Sequence, residues 1–323
     1  MFIEIGLLLV GFAILIKGAD FLVSGASSAA KKYGISNLAI GLTVVAFGTS
    51  MPELIVSLLS ALNGRNDASF GNVIGSNNFN LLLILGVAGL IYPLVVHRNT
   101  VKWEVPMSLL AAIILFILVN DQLLFGESIN MLSRFDSIIL LTCFGVFLYY
   151  IYRTMKAAPE TDQSEIKIYS MPIAIGMILL GLAALIGGGQ LVVNNAIAIA
   201  QHYGVSEKLI GLTILAAGTS LPELATSTVA AYRKNTDIAI GNVIGSNIFN
   251  IFFILGITGA VSPISYNPAL NFDMKITLAA TVVLMIFMFT LNTRKLDRWE
   301  AFLLLTAYIV YTVVLINMDS SPA

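Results

Sequence analysis

GTSMPEL, residues 48–54, sets the carboxylate of Glu53 directly after Pro52 in the middle of a long apolar run. A charged side chain at the centre of a bilayer helix costs about 2.5–3.5 kcal/mol on insertion scales, so a buried carboxylate of this kind marks an ion or proton path. The same arrangement returns as GTSLPEL at residues 218–224, with Glu223 after Pro222. A costly feature that occurs twice points to a duplicated functional element.

The chain around these two stretches is 323 residues long, 58% hydrophobic and 11% charged, with a mean hydropathy of +0.90. Soluble domains carry about 25% charged residues, so this composition specifies a polytopic membrane protein. Its net charge of −1 and the absence of a basic patch exclude nucleic-acid binding. Cys143 is the only cysteine, so an intrachain disulfide or a cysteine-based metal cluster is excluded. The N-terminal apolar run has no positive n-region and is longer than a signal peptide's, so it reads as a retained first span.

At about 20 apolar residues per span, ten segments are expected, at 4–26, 36–62, 68–94, 104–120, 135–153, 170–194, 206–231, 238–262, 273–291 and 299–317. Alternating the loops between faces gives one face twelve cations: Lys31, Lys32, Arg98, Lys102, Arg153, Lys156, Lys167, Arg233, Lys234, Arg294, Lys295 and Arg298. The other face receives Arg65, Arg134, Lys208 and Lys275. By the positive-inside rule the first face is cytoplasmic and both termini lie outside.

YGISNLAIGLT at 33 matches YGVSEKLIGLT at 203, and GNVIGSNNFN at 71 matches GNVIGSNIFN at 241, all at an offset of 170 residues. Each half then holds five spans, 1–153 and 170–323, joined by a polar cytoplasmic linker at 154–169. Because five is odd, the second half enters the membrane inverted. Such inverted repeats place a binding site at the midplane, between discontinuous helices.

Proline lacks an N–H and clashes with the carbonyl four residues back, so Pro52 and Pro222 loosen the carbonyls of Gly48 and Gly218. Thr49, Ser50, Thr219 and Ser220 add hydroxyls within a turn of each glutamate. The repeated GNVIGSN brings Ser76, Asn77 and Asn80 into the third span and Ser246, Asn247 and Asn250 into the eighth, with Ser76 and Asn80, like Ser246 and Asn250, four residues apart and on one helix face. These are hard oxygen donors, which suit calcium and sodium; His97 and His202 fall in loops, away from any soft-metal site. Gly71 and Gly75, like Gly241 and Gly245, also have the spacing that packs helices closely. Lys17 and Asp20 are three apart and can meet on one helix face, a reading for which snorkelling of Lys17 is the simpler alternative.

The duplicated GTS-[LM]-PE and GN-x-IGSN segments resemble the sodium/calcium exchangers of the cation/calcium antiporter superfamily, particularly the compact prokaryotic members, over essentially the whole chain. The resemblance implies an all-α protein with spans two, three, seven and eight around four central sites and spans one and six outside, sliding to switch access. It implies calcium ligation by Glu53, Glu223, Thr49 and Thr219. Sodium would be held by the same glutamates with Ser50, Ser76, Ser220, Ser246 and the backbone carbonyls of Ala46 and Ala216, and Asn80 and Asn250 would flank the middle site. Calcium and sodium are then the transported ions, no cofactor is required, and a monomer in a cell membrane suffices. Exchangers of this type often carry an aspartate at the position of Asn250, which leaves the sodium stoichiometry open. Proton-coupled relatives have a glutamate in the second motif, which GNVIGSN lacks. A calcium/proton antiporter using the same glutamates, a passive cation channel and an intramembrane hydrolase are the alternatives; the last lacks an HExxH motif and a histidine partner for its serines.

Overall fold

The computed structural model describes residues 2–96, 100–127, 129–155, 168–203, 216–290 and 294–320. Among the described residues, eight helices are long and apolar enough to cross a membrane: Phe2–Tyr33, Asn66–Ile91, Thr100–Val119, Arg134–Thr154, Met171–His202, Thr236–Val261, Pro268–Phe287 and Arg298–Met318. The pair Asn37–Thr49 and Met51–Leu62, bent by 47°, completes the second span. These are nine of the ten expected spans. The first half of the seventh lies outside the described residues, and its second half is the helix Leu221–Tyr232. The linker residues 156–167 and His97 also lie outside them.

Two short ladders staple loops together. β1 (Leu94–Val95) pairs antiparallel with β4 (Lys295–Leu296), and β2 (Met131–Leu132) with β3 (Ile264–Ser265). Paired loops lie on the same face, so an even number of crossings separates them. Ten spans meet that parity for both ladders. The chain is an integral membrane protein of two inverted five-span repeats.

The first and sixth spans, 32 residues each, are far longer than a bilayer needs and pack chiefly against each other. Their seam is made of glycines in mirrored positions. A Cβ at Gly18 would lie 3.0 Å from the Gly181 carbonyl oxygen, and one at Gly181 would lie 2.8 Å from that of Gly18. Gly11 and Gly188 meet in the same way, at 3.2 and 3.1 Å. Only backbones without side chains approach this closely.

The third and eighth spans form the centre, and the eighth is the most completely enclosed of these eight helices. Gly241 and Gly245 pack against the second span, where a Cβ at Gly245 would meet the Ala46 Cβ at 2.8 Å. The matching glycines Gly71 and Gly75 have no such neighbour within 4 Å among the described residues, and their mirror segment, 208–216, is largely outside that set. Lys17 is exposed. Asp20 pairs with Arg233 at the end of the seventh span, which also donates to Ser24. Asp20 is thereby engaged in a tie between spans.

Candidate ion site

Both GTS-x-PE stretches break their helix at the serine. Ser50 sits at φ −84°, ψ 8° and Ser220 at φ −91°, ψ 7°, and a new helix of 12 residues begins directly after each. Proline fits this position because the first turn of a helix has no intrahelical use for its N–H. Each glutamate then occupies the first turn of a half-helix, where the aligned peptide dipoles favour negative charge. The break itself differs between halves: the Ser50 amide donates to Ala46 O at 3.0 Å, whereas the Ser220 amide donates to Ala217 O at 3.2 Å. Of Ala216 only the backbone is described.

Glu53 and Glu223 are both fully buried. Each binds chiefly across the repeat boundary. Glu53 Oε1 accepts from Ser220 Oγ at 2.9 Å and from Ser76 Oγ at 3.3 Å. Glu223 Oε1 accepts from Ser50 Oγ at 2.8 Å and from Ser246 Oγ at 3.4 Å. The serines also touch one another, Ser76 with Ser220 at 2.8 Å and Ser50 with Ser246 at 3.0 Å. No basic side chain joins these bonds.

Glu53 Oε2, Glu223 Oε2, Asn80 Oδ1 and Asn250 Oδ1 are buried and have no hydrogen-bond partner among the described residues. Leaving a buried polar atom unpaired costs about 1–3 kcal/mol, and more for a charged one. Four such oxygens from four spans therefore form a cage suited to a hard cation. The threonine hydroxyls bond to amides of the opposite repeat: Thr49 Oγ1 donates to Asn242 Oδ1 at 3.1 Å and Thr219 Oγ1 to Asn72 Oδ1 at 3.3 Å. Thr49 is fully buried and Thr219 partly so. The fold thus gathers Glu53, Glu223, Thr49, Thr219, Ser50, Ser76, Ser220, Ser246, Asn80 and Asn250 at one place, with Ala46 fully buried beside them.

Asn72 and Asn242 were not singled out from the sequence as site residues. Asn72 Nδ2 donates to Glu53 O at 3.1 Å and Ser57 Oγ at 2.9 Å; Asn242 Nδ2 donates to Glu223 O at 3.3 Å and Ser227 Oγ at 2.9 Å. Each amide thus holds the half-helix of its own repeat and the threonine of the other. Their signal was present, since both stand at the 170-residue offset inside the identical GNVIGSN. The helical spacing of Ser76 and Asn80 also changes in the structure, because residues 79–84 and 249–255 are π-helical. That wider turn directs Asn80 and Asn250 across to the opposite repeat.

A cavity of about 300 Å³ lies between the sixth span and the two helix breaks, with Pro52, Thr219, Pro222 and Gln190 on its wall. His202, the last residue of the sixth span, meets Tyr203 edge to face. Inverted repeats, helices broken beside the glutamates and a buried cluster of carboxylate, amide and hydroxyl oxygens define a membrane protein with a site suited to hard cations.

Comparison with known proteins agrees with that class. Residues 3–153 and 173–317 match the family described as sodium/calcium exchanger protein. The chain belongs to this family of cation antiporters. It is 33% identical to the sodium/calcium exchanger MaX1 of Methanosarcina acetivorans, over 96% of this chain and 97% of that one. It is 36% identical to the inner membrane protein YrbG of Escherichia coli, over 88% of each. Among solved structures, the sodium-calcium exchanger NCX_Mj from crystals soaked with zero Na+ and Ca2+ superposes with a TM-score of 0.84 at 31% identity, covering 97% of this chain and 99% of that chain.

Proposed function

We propose that the chain exchanges sodium for calcium by alternating access, with Glu53, Glu223, Thr49 and Thr219 binding calcium. Ser50, Ser76, Ser220, Ser246 and the carbonyls of Ala46 and Ala216 serve sodium, and Asn80 and Asn250 flank the middle site. The observation that carries this reading is the set of four unpartnered buried oxygens, two from glutamates and two from asparagines. Hard oxygens in this number suit calcium and sodium, with no soft ligand among them.

Two carboxylates balance one calcium, whereas three sodium ions in the same shell leave one net positive charge. Exchange of three for one is then electrogenic, and each charge is driven by about 2.3 kcal/mol per 100 mV. An inside-negative potential therefore favours calcium export. The repeats, 1–153 and 170–323, carry the two halves of the site, the 154–169 linker is cytoplasmic, both termini are outside, and a monomer is the working unit. The glycine seam makes the first and sixth spans a unit that can slide over the core, and the cavity against the two prolines supports entry from that side.

The test is calcium-45 uptake into proteoliposomes, comparing an outward sodium gradient with an outward proton gradient at matched membrane potential. Uptake with sodium alone supports this reading. Uptake with protons alone replaces sodium by protons at the same two glutamates.

A further inference from the structure

Asn77 and Asn247 touch no candidate ion oxygen, yet they hold a chain of contacts whose direction is set by two backbone carbonyls. Asn77 Nδ2 faces the Asn247 carbonyl oxygen at 3.4 Å, and Asn247 Nδ2 faces that of Asn77 at 3.5 Å. A carbonyl oxygen only accepts, so each of these amides must turn its NH2 toward the other's backbone. Its own Oδ1 is then committed to the opposite side. There, Asn77 Oδ1 accepts from Asn250 Nδ2 at 2.9 Å and Asn247 Oδ1 accepts from Asn80 Nδ2 at 3.0 Å. Asn250 Nδ2 is further held by Ser76 Oγ at 3.2 Å.

With their NH2 groups thus engaged, Asn80 and Asn250 can present only oxygen to the space they share with the glutamates. Those two oxygens are the ones with no hydrogen-bond partner among the described residues. All four asparagines are at most 1% exposed, so water does not compete for the orientation.

We propose that Asn77 and Asn247 are positioning residues that fix the polarity of Asn250 and Asn80, turning two ambivalent amides into dedicated oxygen donors for a hard cation. Oriented the other way, each amide would place an NH2 against the cation. An ionised aspartate at position 250 would have no proton to give Asn77 Oδ1, so the arrangement takes an amide or a protonated acid there. The two glutamates then remain the only fixed charges of the cage. This inference rests on the proposed ion site.

The experiment measures calcium binding to the purified, detergent-solubilised full chain from the calcium-dependent rise in its melting temperature. Asn77→Ala and Asn247→Ala should each weaken calcium binding by about tenfold, the scale at which outer-shell partners act. In an Asn250→Ala background, Asn77→Ala should have no further effect, since the group it orients is gone. An equal, additive loss in that background assigns Asn77 a packing role and overturns the proposal. So does an additive loss for Asn247→Ala in an Asn80→Ala background, and this second pair decides the matter even if the Asn77 variants do not fold. Failure of the parent chain to bind calcium would instead overturn the ion site itself.

Discussion

Glu53 and Glu223 are each held by one oxygen and leave the other unpartnered, so charge, and not shape, is what they contribute to the cage. Glu53→Gln or Glu223→Gln keeps size and most hydrogen bonding but removes half of the fixed charge. Either variant should elute as a folded, monodisperse protein and show no calcium-45 uptake in proteoliposomes; robust uptake by either would remove it from the ligand set. Ser50 acts more mildly, donating to Glu223 across the repeat boundary. Ser50→Ala leaves the carboxylate one donor poorer, a loss of about 1.5–3 kcal/mol of charge-assisted bonding. The sodium and calcium concentrations for half-maximal exchange should shift, and the melting temperature should fall by a few degrees. That the glutamates matter is legible from two acidic residues in apolar runs. Which serine holds which glutamate is not, because each principal donor comes from the other half of the chain.

Helix breaks and helix seams carry the next level of organisation. Pro52 opens the second span between Thr49 and Met51, where the axis turns by 47°. Pro52→Ala restores an N–H that can bond to the Gly48 carbonyl, a change that favours a continuous helix by about 3 kcal/mol. The variant should be at least as heat-stable as the parent and exchange far more slowly, since the straightened helix withdraws Glu53 from its partners. Unchanged exchange would show that the break is not needed. The seam between the first and sixth spans makes the opposite kind of prediction. A Cβ at Gly18 meets the backbone of the sixth span at 3.0 Å, and backbone cannot yield as a side chain does. Gly18→Ala should lower the melting temperature, in line with the about 1–3 kcal/mol cost of overpacking. The proline breaks were readable from sequence, but the π-helical turns at 79–84 and 249–255 were not. Helical spacing assumes a fixed pitch, and here tertiary contacts widened it.

For the whole molecule, the first span is tied to the end of the seventh. Arg233 bridges to Asp20 and Ser24, and Asn235 Nδ2 donates to Ser27 Oγ at 3.0 Å. The ion pair is about one-third exposed, so it contributes on the order of 0.2–1 kcal/mol. A tie of that size can bias a sliding unit without locking it. The repeat counterparts of Asp20 and Ser24 are Gln190 and Asn194, so the bias exists on one face only. If the first span slides during exchange, joining Ser27→Cys to Asn235→Cys with a short thiol cross-linker, in a Cys143→Ala background, should stop calcium uptake. Cleaving a reducible linker should restore it. Uptake that continues while cross-linked would show that the two spans move as one body.

The sequence by itself determined the membrane, the duplication and its inversion, because apolar length, a fixed 170-residue offset and an odd number of spans are properties of a linear string. It also determined the types of oxygen available, since Glu, Asn, Ser and Thr recur at matching positions in both halves. Only the tertiary structure decided which of those oxygens are spent on one another and which are left for a cation. Asn72, Asn77, Asn242 and Asn247 look like their neighbours in the motif, yet they take up hydrogen bonds that orient the rest. The physical reason is that a hydrogen bond is a statement about pairs, and most of the pairs that matter here join residues from opposite halves of the chain.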